Sequence, residues 1–302
     1  MPSQAEIRKA ITNRIVEALR EGGIPPWRSP WVGHPNAGLP TNIMSNKRYR
    51  GINLLLLHLH QLRYGLKSKF FGTFNQWKGI AAYVKPRPSD IPPGHWGCPI
   101  IFFKPITKTE RNEDGEEVEV QYPVLRTYTV FGIDQVEGSH LDRFRVGELS
   151  VNPDFIDFEP AEKAIAATEA DIRLGGEQAF YRRSGDYICC PHKHRFPKEK
   201  EFYAALLHEL AHWSEGRLEW KGSYAEGELR AEIASAFALA ELGVPQSDDL
   251  SNTQAYITSW LEAMANDPAY IFRASTQASK AADFLLSFGR TPVEEPEGAL
   301  AE

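Results

Sequence analysis

The sequence predicts an α+β chain of 302 residues in two parts, an α+β N-terminal domain followed by a mainly helical one. Three observations carry this. Residues 98–107 (CPIIFFKPIT) and 118–131 (VEVQYPVLRTYTVF) are strand-like runs on either side of a polar ERNEDGEE, whose Asp114-Gly115 reads as a hairpin tip. From residue 202 onward, apolar residues recur at three- and four-residue steps through 202–214, 227–243, 253–265 and 269–288, the last two split by Pro268. Between these parts the chain turns loop-like, with Gly138, Gly147 and Pro153, which places a linker over 136–158. The expected units are therefore a domain at 1–135, that linker, a domain at 159–290 and an acidic tail at 291–302.

Hydrophobic residues make up 42% of the chain, enough to give each domain a core. Three cysteines, two of them adjacent (Cys189 and Cys190), indicate no disulfide framework and fit a reducing cytoplasm. The longest leucine run, 54–57, is far too short to span a bilayer, and the charged N-terminus has no apolar leader core, so no membrane role is expected. Charge is divided unevenly. Residues 1–110 hold 16 Lys and Arg against 5 Asp and Glu, a net charge of about +11, and the remainder carries about −17. A basic front of this kind is either merely solvated or meets a polyanion such as DNA or RNA.

In chain order, Ile7, Ile11, Ile15 and Leu19 predict a helix over 6–19, stopped by Gly22-Gly23 and Pro25-Pro26. Trp27 and Trp31 follow in a proline-rich turn, at least one of them as a plug in the base of the domain. Gly51 opens an apolar helix over 52–62, in which His58 and His60 lie on different faces and read as ordinary polar positions. Residues 66–88 interleave lysines with aromatic rings, a mixture that suits single strands, since exposed bases stack on rings while lysines neutralise phosphates. Core packing competes for the same rings. With the basic NKRYRG stretch at 46–51, the solvent-facing contacts expected in the front domain are Arg48, Tyr49, Arg50, Lys67, Lys69, Trp77 and Lys78. Beyond the linker, 161–173 reads as a short helix and 176–191 as a strand interrupted by a turn at Ser184-Gly185-Asp186.

The sharpest signal is FYAALLHELAHWS at 202–214. His208 and His212 stand one turn apart, so both imidazoles can reach one ion, and the neighbouring Glu209 can point at a water on it. A catalytic zinc takes three protein ligands plus water and lowers the pKa of that water to about 7. Glu228 and Glu232, one turn apart on the next helix, are the candidates for the third ligand, because a short Gly-bearing turn lets that helix fold back. His192 and His194, on the loop before the motif, are either extra ligands or basic surface residues.

The arrangement resembles the gluzincin class of zinc metallopeptidases. That resemblance implies Glu228 as third ligand, Glu232 as the acceptor of an imidazole N–H, and Glu209 as the general base that takes a proton from water and passes it to the leaving amine. In zincins generally a strand beside the metal helix pairs with an extended substrate, and 187–190 is the matching candidate. Residue spacing alone leaves Glu228 and Glu232 interchangeable.

Along its length the chain also resembles the ArdC antirestriction family of conjugative plasmids. The motifs that carry the likeness occur in family order: PPWRSPW, LPTN, YRGIN, TFNQW, VFGIDQ, FYAALLHELAHW and YAEGELRAEIASAF. The chain departs from the family at KPRPSDIPPGHW (85–96), where a Gly-Lys-Gly-like turn is usual, and at Gly227, where a glutamate is common. The resemblance implies a single-stranded-DNA-binding domain joined to a zincin-like metallopeptidase domain in a protein that protects incoming DNA from host restriction. It implies Zn2+, with Mn2+ or another divalent ion as the alternative, and a protein substrate of the restriction or DNA-associated kind. The competing expectation is a DNA-shielding protein whose metal site is structural.

Overall fold

The computed structural model describes residues 3–21, 25, 27, 35–111, 117–147, 158–246 and 251–289. Helix α1 (Gln4–Arg20) opens on a capping box, in which Ser3 and Glu6 each accept a hydrogen bond from the other's backbone N–H. Its Ile11, Ile15 and Leu19 are buried. A short strand β1 (Thr41–Asn42) precedes α2 (Ile52–Tyr64). Gly51 enters α2 at φ 56°, and a Cβ there would stand 3.3 Å from Thr276 Oγ1. Only glycine accepts both conditions without strain.

Next come β2 (Phe70–Thr73), α3 (Phe74–Gly79), β3 (Tyr83–Val84), the long hairpin β4 (Cys98–Arg111) and β5 (Glu117–Gly132), and β6 (Val136–Glu137). The hairpin keeps continuous register from Cys98 opposite Val130 to Arg111 opposite Glu117; its Asp114-Gly115 tip lies outside the described residues. The sheet order is β1-β2-β5-β4, antiparallel except for the β1–β2 edge. At the opposite edge the Asn53 side chain donates to Ile101 O (2.8 Å) and accepts from Ile101 N–H (2.9 Å), closing β4's outer ladder at that residue.

The expected linker is displaced. Residues 136–147 belong to the front domain, because β6 pairs with β3, Leu141 is buried, and Phe144 packs against Phe70. Residues 148–157 and the tail at 290–302 lie outside the described residues. The back domain begins with α4 (Glu159–Ala167), which ends sooner than its sequence pattern predicts. The following Asp171–Leu174 is strand β7, followed by β8 (Phe180–Arg182) and β9 (Tyr187–Cys190). Helices α5 (Glu199–Arg217), α6 (Tyr224–Leu242), α7 (Ser251–Asn266) and α8 (Tyr270–Ser287) complete it.

Helix α6 is the axis of the molecule. It is buried on nearly every side, and its alanines let neighbouring helices approach closely. One apolar cluster runs through both parts of the chain, joining Ile15, Leu55 and Trp27 to Phe237, Trp260 and Ile271. Trp27 meets Trp260 edge-on at 6.0 Å, while Trp31 lies outside the described residues. The two domains thus share a core instead of each closing over its own. His58 and His60 belong to this interior, contrary to their reading as ordinary polar positions: both are buried, His58 against Phe237 and His60 beside Gln135.

Candidate metal centre

The metal motif sits on α5 because Phe202, Tyr203, Leu206, Leu210 and Trp213 pack that helix onto the small sheet and onto α8, leaving the histidine side toward α6. Arg230 locks the helix pair. Fully buried, it donates to Ala211 O (2.8 Å) and Ser214 Oγ (2.8 Å) across the helix contact, and burial lowers its guanidinium to about 10. On α6, Ser223 caps the first turn by accepting from Glu226 N–H, so Glu228 lies one turn into the helix, opposite the two histidines.

Three donor atoms converge there. His208 Nε2 lies 3.2 Å from His212 Nε2 and 3.4 Å from Glu228 Oε2, and His212 Nε2 lies 3.6 Å from Glu228 Oε1. All three ligand atoms fall within 4.8 Å of one another. The fit to a cation follows from proton positions. Glu215 Oε1 lies 2.9 Å from His212 Nδ1, which assigns the ring proton to Nδ1 and turns the Nε2 lone pair toward the centre. Two imidazole nitrogens at 3.2 Å beside a carboxylate need a positive charge among them, and a divalent ion meets that need. Without an ion, burial disfavours charge on His212, but hydrogen bonds to Glu215 and Glu228 outweigh it and push the ring up to about 9, so a bound cation would take the place of the Nε2 proton. Burial likewise opposes the Glu228 carboxylate, yet the two imidazoles hold it well below the usual range.

Glu232 stands apart from the donor triangle. Its Oε2 is 3.9 Å from His208 Nδ1 and its Oε1 accepts from Thr253 Oγ1 at 2.9 Å. That places it behind His208, on the side away from Nε2, while Glu228 faces Nε2. His192 and His194 stack on each other at 5.5 Å on the surface and are not in the donor cluster. Glu209 is half-buried beside the triangle. Desolvation raises its pKa, and the two histidines and a hydrogen bond from the Tyr181 backbone N–H offset part of that rise.

The cleft over these residues has a volume of about 930 Å³ and is bounded by β8, α5, the start of α6 and Tyr256. Its sheet corrects one expectation. The order is β7-β9-β8, so Tyr187–Cys190 is the middle strand, paired on both sides, and cannot take up another. The strand bordering the cleft is β8. Two features escaped sequence reading. Glu215 lies one turn past His212, a spacing that would have revealed it. Tyr224, one turn before Glu228, is 73% exposed, and its hydroxyl meets that of Tyr256 at 3.0 Å.

The expected nucleic-acid contacts separate into two groups. Trp77 is fully buried with Nε1 donating to Phe131 O, and Tyr49 is buried with its hydroxyl accepting from Asn42, so neither ring faces solvent as expected. Trp77 packs with Phe70, Ile133 and Val136, and Tyr49 belongs to the main apolar cluster. Arg48 pairs with Glu241 of α6, and Arg50 with Asp283 of α8 at 3.1 Å, so this basic loop also latches the two domains. Lys69 is half-buried, donates to Pro35 O and has its pKa lowered by desolvation. Lys67 and Lys78 are exposed.

Comparison with known proteins agrees with this architecture. Residues 5–131 match the N-terminal domain of the anti-restriction factor ArdC, and residues 159–277 match a zincin-like metallopeptidase domain. The chain is thus a two-domain protein carrying a zincin-like metallopeptidase fold. Its structure is similar to the metal-free crystal structure of the antirestriction ArdC protein from plasmid R388, at TM-score 0.72 and 32% identity over 93% of this chain and 97% of that one. The Mn(II)-bound form of the same protein matches at TM-score 0.69 and 31% identity, with the same coverage. In sequence it is 31% identical to the uncharacterized protein y4eC of Sinorhizobium fredii, over 93% of this chain and 91% of that one. It is 34% identical to a DNA primase TraC of Escherichia coli over 96% of this chain, but spans only 28% of that primase's length. The chain belongs to the ArdC antirestriction family.

Proposed function

We propose that the chain is an antirestriction protein of a conjugative plasmid or mobile element, which binds single-stranded DNA without sequence preference and hydrolyses peptide bonds at the α5–α6 centre. The convergence of two imidazole nitrogens and one carboxylate at the floor of an open cleft, with Glu209 alongside, carries this reading. His208, His212 and Glu228 would hold the ion; Glu215 orients the His212 imidazole from behind, while Glu232 stands 3.9 Å behind His208 Nδ1, beyond hydrogen-bond reach. When bound, a divalent ion such as Zn2+ or Mn2+ supplies Lewis-acid polarisation of the scissile carbonyl and a water of lowered pKa.

The chain's own groups do the rest. Glu209, desolvated and fixed by the Tyr181 N–H, takes the proton of the attacking water and returns it to the leaving amine. β8, the edge strand of the small sheet, borders the cleft with its Tyr181 N–H already held by Glu209, and the Tyr224 hydroxyl stands at the cleft mouth. The front domain, through exposed cations such as Lys67 and Lys78, would localise this chemistry to a restriction or other DNA-associated protein.

Glu209→Gln tests the reading, because it keeps the ligands and removes the base. Peptide cleavage is expected to fall about 10²–10⁴-fold with metal content unchanged, and protection of incoming DNA should fall with it. Full protection by the metal-loaded variant would leave the single-strand shield as the function and the ion as structural.

A further inference from the structure

With Tyr49 and Trp77 committed to the core, the front domain needs other rings if it is to stack bases, and the hairpin supplies them. Phe102 is 48% and Tyr128 is 44% exposed, large values for aromatic side chains on a sheet. Phe102 on β4 pairs across the sheet with Arg126, and Ile100 pairs with Tyr128, so Phe102, Arg126 and Tyr128 project from one face. The two rings meet edge-on, 5.6 Å between centroids. Phe102 also forms part of the wall of a groove of about 830 Å³ between the front domain and α8, whose rim carries Lys47, Arg48 and Arg50 against the single acid Asp283.

The geometry points to this groove as the seat of single-stranded DNA. We infer that bases stack on Phe102 in the groove wall and on Tyr128 on the adjoining hairpin face, while Lys47 and Arg50 on the rim and Arg126 beside Phe102 neutralise the phosphates. The charge on the rim is complementary to a polyanion, and the Arg50–Asp283 pair, with the Arg50 side chain 74% exposed, is a surface pair that a phosphate displaces at little cost. Cross-strand aromatics on a sheet face, flanked by cations, fit a chain whose every base offers a π-face and whose backbone is uniformly charged. A duplex, with its bases stacked inside, offers these rings nothing.

The inference rests on the single-strand binding proposed above, and the test separates the two. Anisotropy of a labelled twenty-nucleotide oligothymidine is measured with the wild type, Phe102→Ala, Tyr128→Ala, the double variant and Phe102→Trp, with melting curves to confirm folding. Each alanine is expected to weaken binding about tenfold, the double variant about a hundredfold, and tryptophan to retain it. Ultraviolet crosslinking of the wild type should attach thymine to Phe102 or Tyr128. A wild type that binds while the double variant stays within about twofold, or crosslinks found only elsewhere, overturns the assignment of this groove. A wild type that binds no single strand overturns the single-strand reading itself.

Discussion

The metal cleft and the basic face of the front domain place their polar groups by opposite rules. In the cleft, side chains hold one another: Glu215 holds His212, Glu232 stands behind His208, Thr253 holds Glu232, and Arg230 ties together the helices that carry them. On the basic face, Lys67 and Lys78 stand exposed, while Arg48 and Arg50 reach across to the other domain. The first arrangement suits a reaction centre, where misplacement by about 1 Å costs rate. The second suits a partner with no fixed shape, for which adaptable cations suffice.

The largest expected effect tests the ordered side of this contrast. Glu228→Ala should remove bound metal altogether, whereas Glu232→Ala should keep it with affinity lowered about 10–100-fold, read by metal analysis and chelator competition. The reverse result would make Glu232 the third ligand and break the division between the donor triangle and its supports. Next in size, Trp77→Ala should cost about 3–5 kcal/mol of stability in urea, because it empties a fully buried site. The affinity of the folded variant for single strands should not change; a selective loss of binding at unchanged stability would return Trp77 to the surface.

A smaller effect sharpens the comparison inside the front domain. Burial outweighs the hydrogen bond to Gln135 and pushes His60 down to about 4, so the folded state holds its ring neutral while the unfolded chain protonates near 6.5. Between these values the unfolded state binds more protons. Stability from this residue is therefore complete above about pH 6.5 and is lost as pH falls through 4, a change of roughly 3 kcal/mol. His60→Gln should show a flatter urea midpoint over that window than the wild type, and equal slopes would place the acid sensitivity elsewhere.

Legibility in the sequence followed the range of the determining interactions. His208, Glu209 and His212 share one helix, so their juxtaposition is fixed by the α-helical repeat and can be read locally; the return of α6 needed only a short turn between the two helices. The Glu228 and Glu232 positions separate only when the helix contact is known. Which rings of residues 66–88 face solvent depends on packing against distant strands, and there a lysine-and-aromatic composition misled: Trp77 plugs the sheet, while exposed Phe102 and Tyr128 lie in a hairpin that reads simply as strand. The same holds for Tyr187–Cys190, whose central place depends on β7, a segment that the helical pattern of 161–173 partly absorbed. His58 and His60 went the same way, since polarity in the sequence says nothing of a helix with two covered faces.

The Asn53 clamp on Ile101 has a bearing on molecules that crowd together. An uncovered outer strand invites a neighbouring copy to add itself and start a fibre. By spending one amide on both backbone groups of Ile101, α2 leaves no vacant rung there for a second hairpin to zip onto.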